Sequence, residues 1–309
     1  MAGRSRALRR VLVSRGILGL HEVRAADTGT VGGKAANLGE LLSKGFPVPP
    51  GFVVPVTVYV EFIDQLGMAD ELRALANAPR SEWPQRCASV RRQIEATPLR
   101  AELSDEILGA HRSLIGTRGP HVMCAVRSSA TAEDLGAASF AGQHSTYYYV
   151  EGTNLIPMVR KCWASLWSPE AVSYRATHGI DGSTVHMAVV VQEMVASEIS
   201  GVAFTANPIT GRKDELIIES SFGMGAAIVD GRVTPDRYIV ERDGMLRERR
   251  IADKRFMVAP HVDAGREARL EEVPHGMRRR ETLSAEQIQT VAEWARGAEA
   301  HFGKPQDVE

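Results

Sequence analysis

The sequence predicts an α+β protein, and three observations carry that reading. Helical periodicities fill most of the chain up to about residue 178. Apolar, β-branched runs separated by turn residues follow at roughly 185–256. The chain is long, at 309 residues with 44% apolar and 24% charged, so it can bury a substantial core, with room for two lobes. A net charge of −1 supplies no global field for nucleic acid or an acidic membrane surface. The longest apolar runs fall far short of the ~20 residues that span a bilayer. Cys87, Cys124 and Cys162 are widely spaced and form no CxxC pair. That argues against a disulfide framework or zinc site and fits a reducing cytoplasm.

The elements read as follows. Residues 1–20, "MAGRSRALRRVLVSRGILGL", hold five arginines and no acid, and form a basic leader. "GKAANLGELLSKG" is a short helix from Gly33, with Leu38, Leu41 and Leu42 on one face and Gly45 as its stop. "FPVPPGFVV" is a proline-fixed extended connection. Helices are predicted over about 55–66, 69–77, 81–95 and 101–116, then strands at 121–126 and 144–150, then helices at 155–166 and 169–178. "VHMAVVVQEMV" reads as a buried strand, and "GVAFTANP", "DELIIESS" and "DRYIVER" continue the β-rich section. The polar segment 257–281 shows no period and reads as loop. A last helix starts at "LSAEQ" with the capping-box pair Ser284 and Gln287. Its face is Ile288, Val291, Ala295, Ala298 and Phe302, and Gly303 ends it before "KPQDVE" begins a new element.

Four stretches carry candidate chemistry. In "VGGKAANLGE", two glycines precede Lys34 at a helix start, where unpaired N–H groups and the helix dipole attract phosphate. The alternative is an ordinary helix entry, since the P-loop pattern is absent. In "AVRSSATAEDLGAASFAGQ", Arg127 follows an apolar strand and leads a hydroxyl-rich turn. Its guanidinium fork suits phosphate oxygens, and the small residues 137–142 let backbone amides approach closely. The alternative is a loop salt bridge to Glu133 or Asp134. In "VVVQEMVASEISGVAFTANP", Gln192, Glu193, Met194 and Val195 either form a hinge that holds an adenine ring or the polar turn of a β-hairpin. At the end, Asp307 and Glu309 are two apart, so a strand would point both carboxylates to one face. There they would hold Mg²⁺ against phosphates or simply decorate a solvated edge.

In order, "VGGKAANLGEL", "VPPGF", "VRSSATAEDLGAASFAGQ", "KCWASLW", "VVVQEMV", "SGVAFTANPITG", "SSFGMGAAIVDGRVTPD" and "HFGKPQDVE" resemble the N-terminal ATP-binding domain of the phosphoenolpyruvate synthase, pyruvate phosphate dikinase and rifampicin phosphotransferase family. "FTANPITG" is more similar to the rifampicin phosphotransferase branch. The resemblance implies an ATP-grasp-like fold with ATP held between two lobes, about 21–190 and about 191–309. It implies that ATP passes its β-phosphate to a histidine on a swivelling domain, leaving AMP and phosphate, and that the phosphohistidine serves a third, acceptor-substrate domain. By resemblance, Lys34 and Arg127 hold the phosphates, and the loop through Gly142 and Thr146 closes over them. Gln192 to Val195 match the adenine hinge, and Glu309, with Asp307 beside it, binds nucleotide-bound Mg²⁺. Two departures stand out. Ala226 occupies the place of the acid in the family's Gly-Leu-Gly-Glu motif. The sequence ends before the family's Gln-x-Arg-Pro strand and histidine domain, and His144 reads as a loop contact, not a phosphoacceptor. The chain is thus expected to be incomplete as an enzyme. The alternatives are a free-standing nucleotide-binding subunit or a non-catalytic nucleotide sensor.

Overall fold

The computed structural model describes residues 16–116, 119, 122–131, 145–182, 184–229, 231–259 and 270–309. The chain divides into two compact units, the second being Val195–Glu309. It is mixed α and β, as the sequence predicts. No helix among the described residues is long and apolar enough to cross a membrane.

The apolar run expected as a buried strand is the middle of the first unit's sheet. That sheet joins β1 (Leu18–Gly19), β2 (Gly51–Val54), β3 (Cys124–Ala130), β4 (Thr146–Val150) and β5 (Met187–Glu193) in the order β1-β2-β5-β3-β4. All neighbours are antiparallel. An antiparallel strand usually alternates apolar and polar, yet β5 reads Met-Ala-Val-Val-Val. The reason is that both faces are covered. Val189 and Val191 pack with Phe52, Val54, Val126 and the helical cluster, while Ala188 and Val190 pack with Val53, Val31, Ala35 and Ala36.

Helix α1 (Thr28–Ser43) covers this second face. It starts earlier than Gly33 and is broken at Gly32, whose φ of 75° and ψ of 166° are not helical. Its buried stripe is Gly32, Gly33, Ala35, Ala36 and Gly39, while Leu38 and Leu42 are only partly buried. Small residues win because the helix lies very close: a Cβ at Gly39 would sit 2.6 Å from the Val23 carbonyl oxygen.

The other face carries α2 (Val56–Leu66), α3 (Ala69–Ala76), α4 (Trp83–Ala96), α5 (Ala101–Ile115), α6 (Leu155–Ser165) and α7 (Pro169–Thr177). These lie within a residue or two of their predicted bounds. Their core includes a polar knot: Trp167 Nε1 donates to Tyr59 Oη at 3.0 Å, and buried Arg175 stacks over Trp167 and donates to the Leu166 carbonyl. Burial pushes the Tyr59 pKa up to about 12, so the phenol stays protonated. The three cysteines are buried and form no disulfide among the described residues.

The second unit is built on an antiparallel sheet of β6 (Ile199–Phe204), β7 (Glu215–Phe222), β8 (Asp236–Glu241), β9 (Leu246–Arg250) and β12 (Asp307–Val308), ordered β12-β6-β7-β8-β9. A small ribbon pairs β10 (Phe256–Val258) with β11 (Leu270–Glu272), so the segment expected as loop contains strand at both described ends. Because β5 and β6 lie in different sheets, the stretch from Val189 to Pro208 is not a hairpin. The short helix α8 (Ala226–Val229) opens on Ala226. Helix α9 (Ala285–Phe302) has the predicted capping box: Gln287 N–H donates to Ser284 Oγ, and Ser284 N–H donates to Gln287 Oε1. Its Ile288, Ala292 and Ala295 pack on Ala203, Leu216, Ile218, Tyr238 and Val240, which are the alternate residues of the sheet.

Candidate functional site

β3 runs through Arg127, Ser128 and Ser129 to Ala130, four residues past its predicted end. Arg127 therefore sits within a strand, not at a turn. The serines suit a strand here because the backbone of α1 approaches it: a Cβ at Gly32 would lie 2.3 Å from the Ser129 carbonyl oxygen. Ala35 N–H donates to Ser129 Oγ at 3.1 Å. The restart of α1 after Gly32 aims Lys34 at the same strand, and Lys34 Nζ donates to the Ser128 carbonyl oxygen at 3.1 Å.

Strand register fixes what shares this face. Arg127 pairs with Val190 on one side and Thr146 on the other, and Ser129 pairs with Ala188. Val190 and Ala188 belong to the cluster beneath α1. Arg127, Ser129 and Thr146 therefore project on the α1 side. A register shift between Cys124 and Val126, with Tyr149 at φ 53°, sets Thr146 opposite Arg127. Lys34, Arg127 and Thr146 are brought to one region of one face. Gly142, the loop 137–142, His144, Glu133 and Asp134 lie outside the described residues.

The hinge stretch has a different character from its sequence reading. Gln192 is buried, and its amide faces inward. Its Oε1 accepts from Arg127 Nη1 at 3.3 Å, while its Nε2 donates to the Pro49 carbonyl at 3.0 Å. It holds the arginine in place. The N–H groups of Glu193 and Met194 donate to the carbonyls of Pro50 and Met123, both at 2.9 Å. Val195 is exposed, and its N–H makes no such bond among the described residues. The link from Arg127 through Gln192 to Pro49 escaped sequence reasoning. The signal was a lone amide ending a run of valines.

In the second unit, Asp307 and Val308 pair with Phe204 and Ala203 of β6. Val308 packs into the cluster beneath α9. Asp307 and Glu309 flank it and so face the opposite side of the sheet, both exposed. Two exposed carboxylates two residues apart offer the hard oxygen ligands that Mg²⁺ takes. Among the described residues there is no group of three or more His, Cys, Asp or Glu side chains able to hold a metal. A cation here would complete its shell with phosphate oxygens and water, the usual habit of Mg²⁺. The same unit buries an ion pair: Lys254 Nζ donates to Asp236 Oδ1 at 2.5 Å, and Asp236 Oδ2 accepts from the Thr282 N–H and hydroxyl. Sequence analysis did not single it out.

Comparison with known proteins bears on this geometry. The family described as "Pyruvate phosphate dikinase, AMP/ATP-binding domain" matches residues 28–309. Curated relatives include the phosphoenolpyruvate synthase of Pyrococcus furiosus, 38% identical, with 93% of this chain aligned to 40% of the relative. The probable phosphoenolpyruvate synthase of Archaeoglobus fulgidus is 43% identical, over 95% of this chain and 39% of its own. That of Pyrococcus abyssi is 39% identical, over 93% and 40%. The chain thus spans about 40% of the length of these relatives.

Proposed function

This chain belongs to the pyruvate phosphate dikinase AMP/ATP-binding domain family, and on that premise we propose that it is the ATP-binding portion of a dikinase-type phosphotransferase. The observation that carries the reading is the meeting of Lys34 and Arg127 on β3, one through the Ser128 carbonyl and the other through Gln192. Phosphate is what a guanidinium fork and an ammonium point charge take best. Thr146, beside Arg127, adds a hydroxyl.

The overall fold is proposed as ATP-grasp-like. Mg²⁺ held by Glu309 and Asp307 would neutralise negative charge on the nucleotide phosphates. This chain's own part is then to bind and orient the triphosphate and to stabilise charge on it, the main demands of phosphoryl transfer. The β-phosphate is proposed to leave for a histidine on a separate domain, with AMP and phosphate as products. Family membership supports this route, as do relatives named phosphoenolpyruvate synthase. The final acceptor, pyruvate or an antibiotic-like hydroxyl, belongs to the acceptor domain. "FTANPITG" is the feature that supports the rifampicin phosphotransferase branch.

Calorimetric titration of the chain with Mg·ATP and with AMP tests the reading. Truncating one partner of a desolvated charge contact costs about 2–5 kcal/mol. Lys34→Ala and Arg127→Ala should each weaken ATP at least tenfold and AMP much less. Unchanged ATP affinity in both variants, or equal losses for ATP and AMP, would remove phosphate binding from this face.

A further inference from the structure

The second unit holds a cavity of about 700 Å³ within itself, lined by residues of β7, β8 and β9 and the turns around them. The volume is that of a small-molecule site. Its wall is unusually cationic: Arg232, Arg237, Arg250 and Arg255 against Glu219 and Asp253. Asp253 is already engaged by Arg255 at 3.2 Å.

Strand register brings the central pair together. Arg237 of β8 lies directly opposite Arg250 of β9, and like charges so placed destabilise a sheet. No ion pair among the described residues joins either arginine to a carboxylate, although Glu219 lies opposite Arg237 on the other side. The Nε of Arg237 is buried and finds no hydrogen-bond partner among the described residues. Buried donors are nearly always satisfied. Two facing guanidiniums with no carboxylate at ion-pair distance among the described residues, one with an orphaned N–H, ask for an oxyanion. The floor is rigid, since the Asp236 carboxylate beneath it holds Lys254 and also accepts from the Ala252 N–H at 2.9 Å. Phe256, 41% exposed, adds an apolar wall that a bare inorganic anion would not use.

We propose that Arg237 and Arg250 form an oxyanion site in the second unit that takes the phosphate group of a small organic phosphate, with Phe256 against the organic body. The site is built from residues of the second unit alone and does not rest on the nucleotide reading.

Phenyl phosphate and inorganic phosphate are the probes, titrated calorimetrically into the full chain. Saturable binding of phenyl phosphate, at least threefold tighter than inorganic phosphate, is expected. Arg237→Gln/Arg250→Gln should lose tenfold or more in affinity for phenyl phosphate. Arg73→Gln, at an exposed arginine of the first unit, should stay within twofold of the unaltered protein. Arg250→Gln alone, at an exposed strand position, should lose at least threefold and keeps the test open if the double variant does not fold. Equal affinity for the two probes removes the role of Phe256. No saturable binding, unchanged affinity in Arg250→Gln, or an equal loss in Arg73→Gln would each overturn the site.

Discussion

Gln192 is an amide at the end of a strand that otherwise buries valines, and its two polar ends explain why it is tolerated there. One end accepts from Arg127, and the other donates to Pro49. The guanidinium is thereby ordered before any ligand arrives. Immobilising a long side chain costs about 0.5–1.5 kcal/mol, so releasing Arg127 should show as a binding penalty of about 1 kcal/mol. Gln192→Leu is therefore expected to weaken ATP roughly three- to tenfold. Gln192→Glu keeps an acceptor for Arg127 but sets a negative charge beside the anion it is to bind and gives up the bond to Pro49, so it should weaken ATP further than Gln192→Leu. Calorimetry at matched protein stability checks this, and equal losses in the two variants would mean that Gln192 acts only through packing. The cationic residues themselves were legible in the sequence, because lysine after two glycines and arginine after an apolar run are local patterns. The amide was not. Its role depends on register between β5, β3 and the segment before β2, and no local pattern encodes a pairing between residues so far apart in the chain.

At the scale of elements, helices α2 to α7 were read to within a residue or two, whereas the start of α1 and the strand through Arg127 were not. Val-Arg-Ser-Ser-Ala has the small polar residues of a turn, yet α1 needs that small surface to come close. The determining residue is Gly32, whose φ of 75° breaks the helix and whose missing Cβ leaves room for the Ser129 carbonyl. Gly32→Ala combines a left-handed backbone with a steric clash, and should destabilise the chain by roughly 2–4 kcal/mol. Gly45→Ala, at a similar φ of 81° but with nothing within 4 Å, should cost only the backbone share, about 1 kcal/mol. The urea midpoints of the two variants separate crowding from conformation, and equal shifts would mean that the close approach of α1 to β3 is unimportant. The same contact explains why Leu38 and Leu42 are left half-buried, contrary to the periodicity of the sequence.

At the scale of the whole molecule, stability should depend on pH in two separate windows. Burial holds the pKa of His111 and of His186 below the ordinary 6.5. The folded chain thus keeps these rings neutral where the unfolded chain would protonate them. Their contribution is complete above pH 6.5 and is lost as pH falls below it. The carboxyls of Glu215 and Glu299 are held below their ordinary value of 4.5, chiefly by hydrogen bonds from Asn207 and Arg242, and their contribution is lost only at lower pH. The urea midpoint should therefore drop between pH 7.5 and pH 5.5 and drop again below about pH 4.5. Replacing both histidines with glutamine should flatten the first fall and leave the second. A midpoint that is constant from pH 7.5 to 5.5 would place these rings in water.

The sheet of the second unit also has an electrical direction. Continuing the pairing of Val308 with Ala203 by one residue sets Glu309 beside Val202. Val202 pairs with Glu219, Glu219 with Arg237, and Arg237 with Arg250. One row across five strands thus runs from acid to base on the face turned away from α9. A chain of net charge −1 has almost no monopole, but this row is a transverse dipole about 19 Å long at ~4.8 Å per strand. Cations are drawn to its β12 end and oxyanions to its β9 end. The Debye length is about 8 Å at 0.15 M salt and about 30 Å at 0.01 M. In ordinary salt the two ends are strangers to one another, whereas in dilute buffer the whole row acts as a single polarised strip.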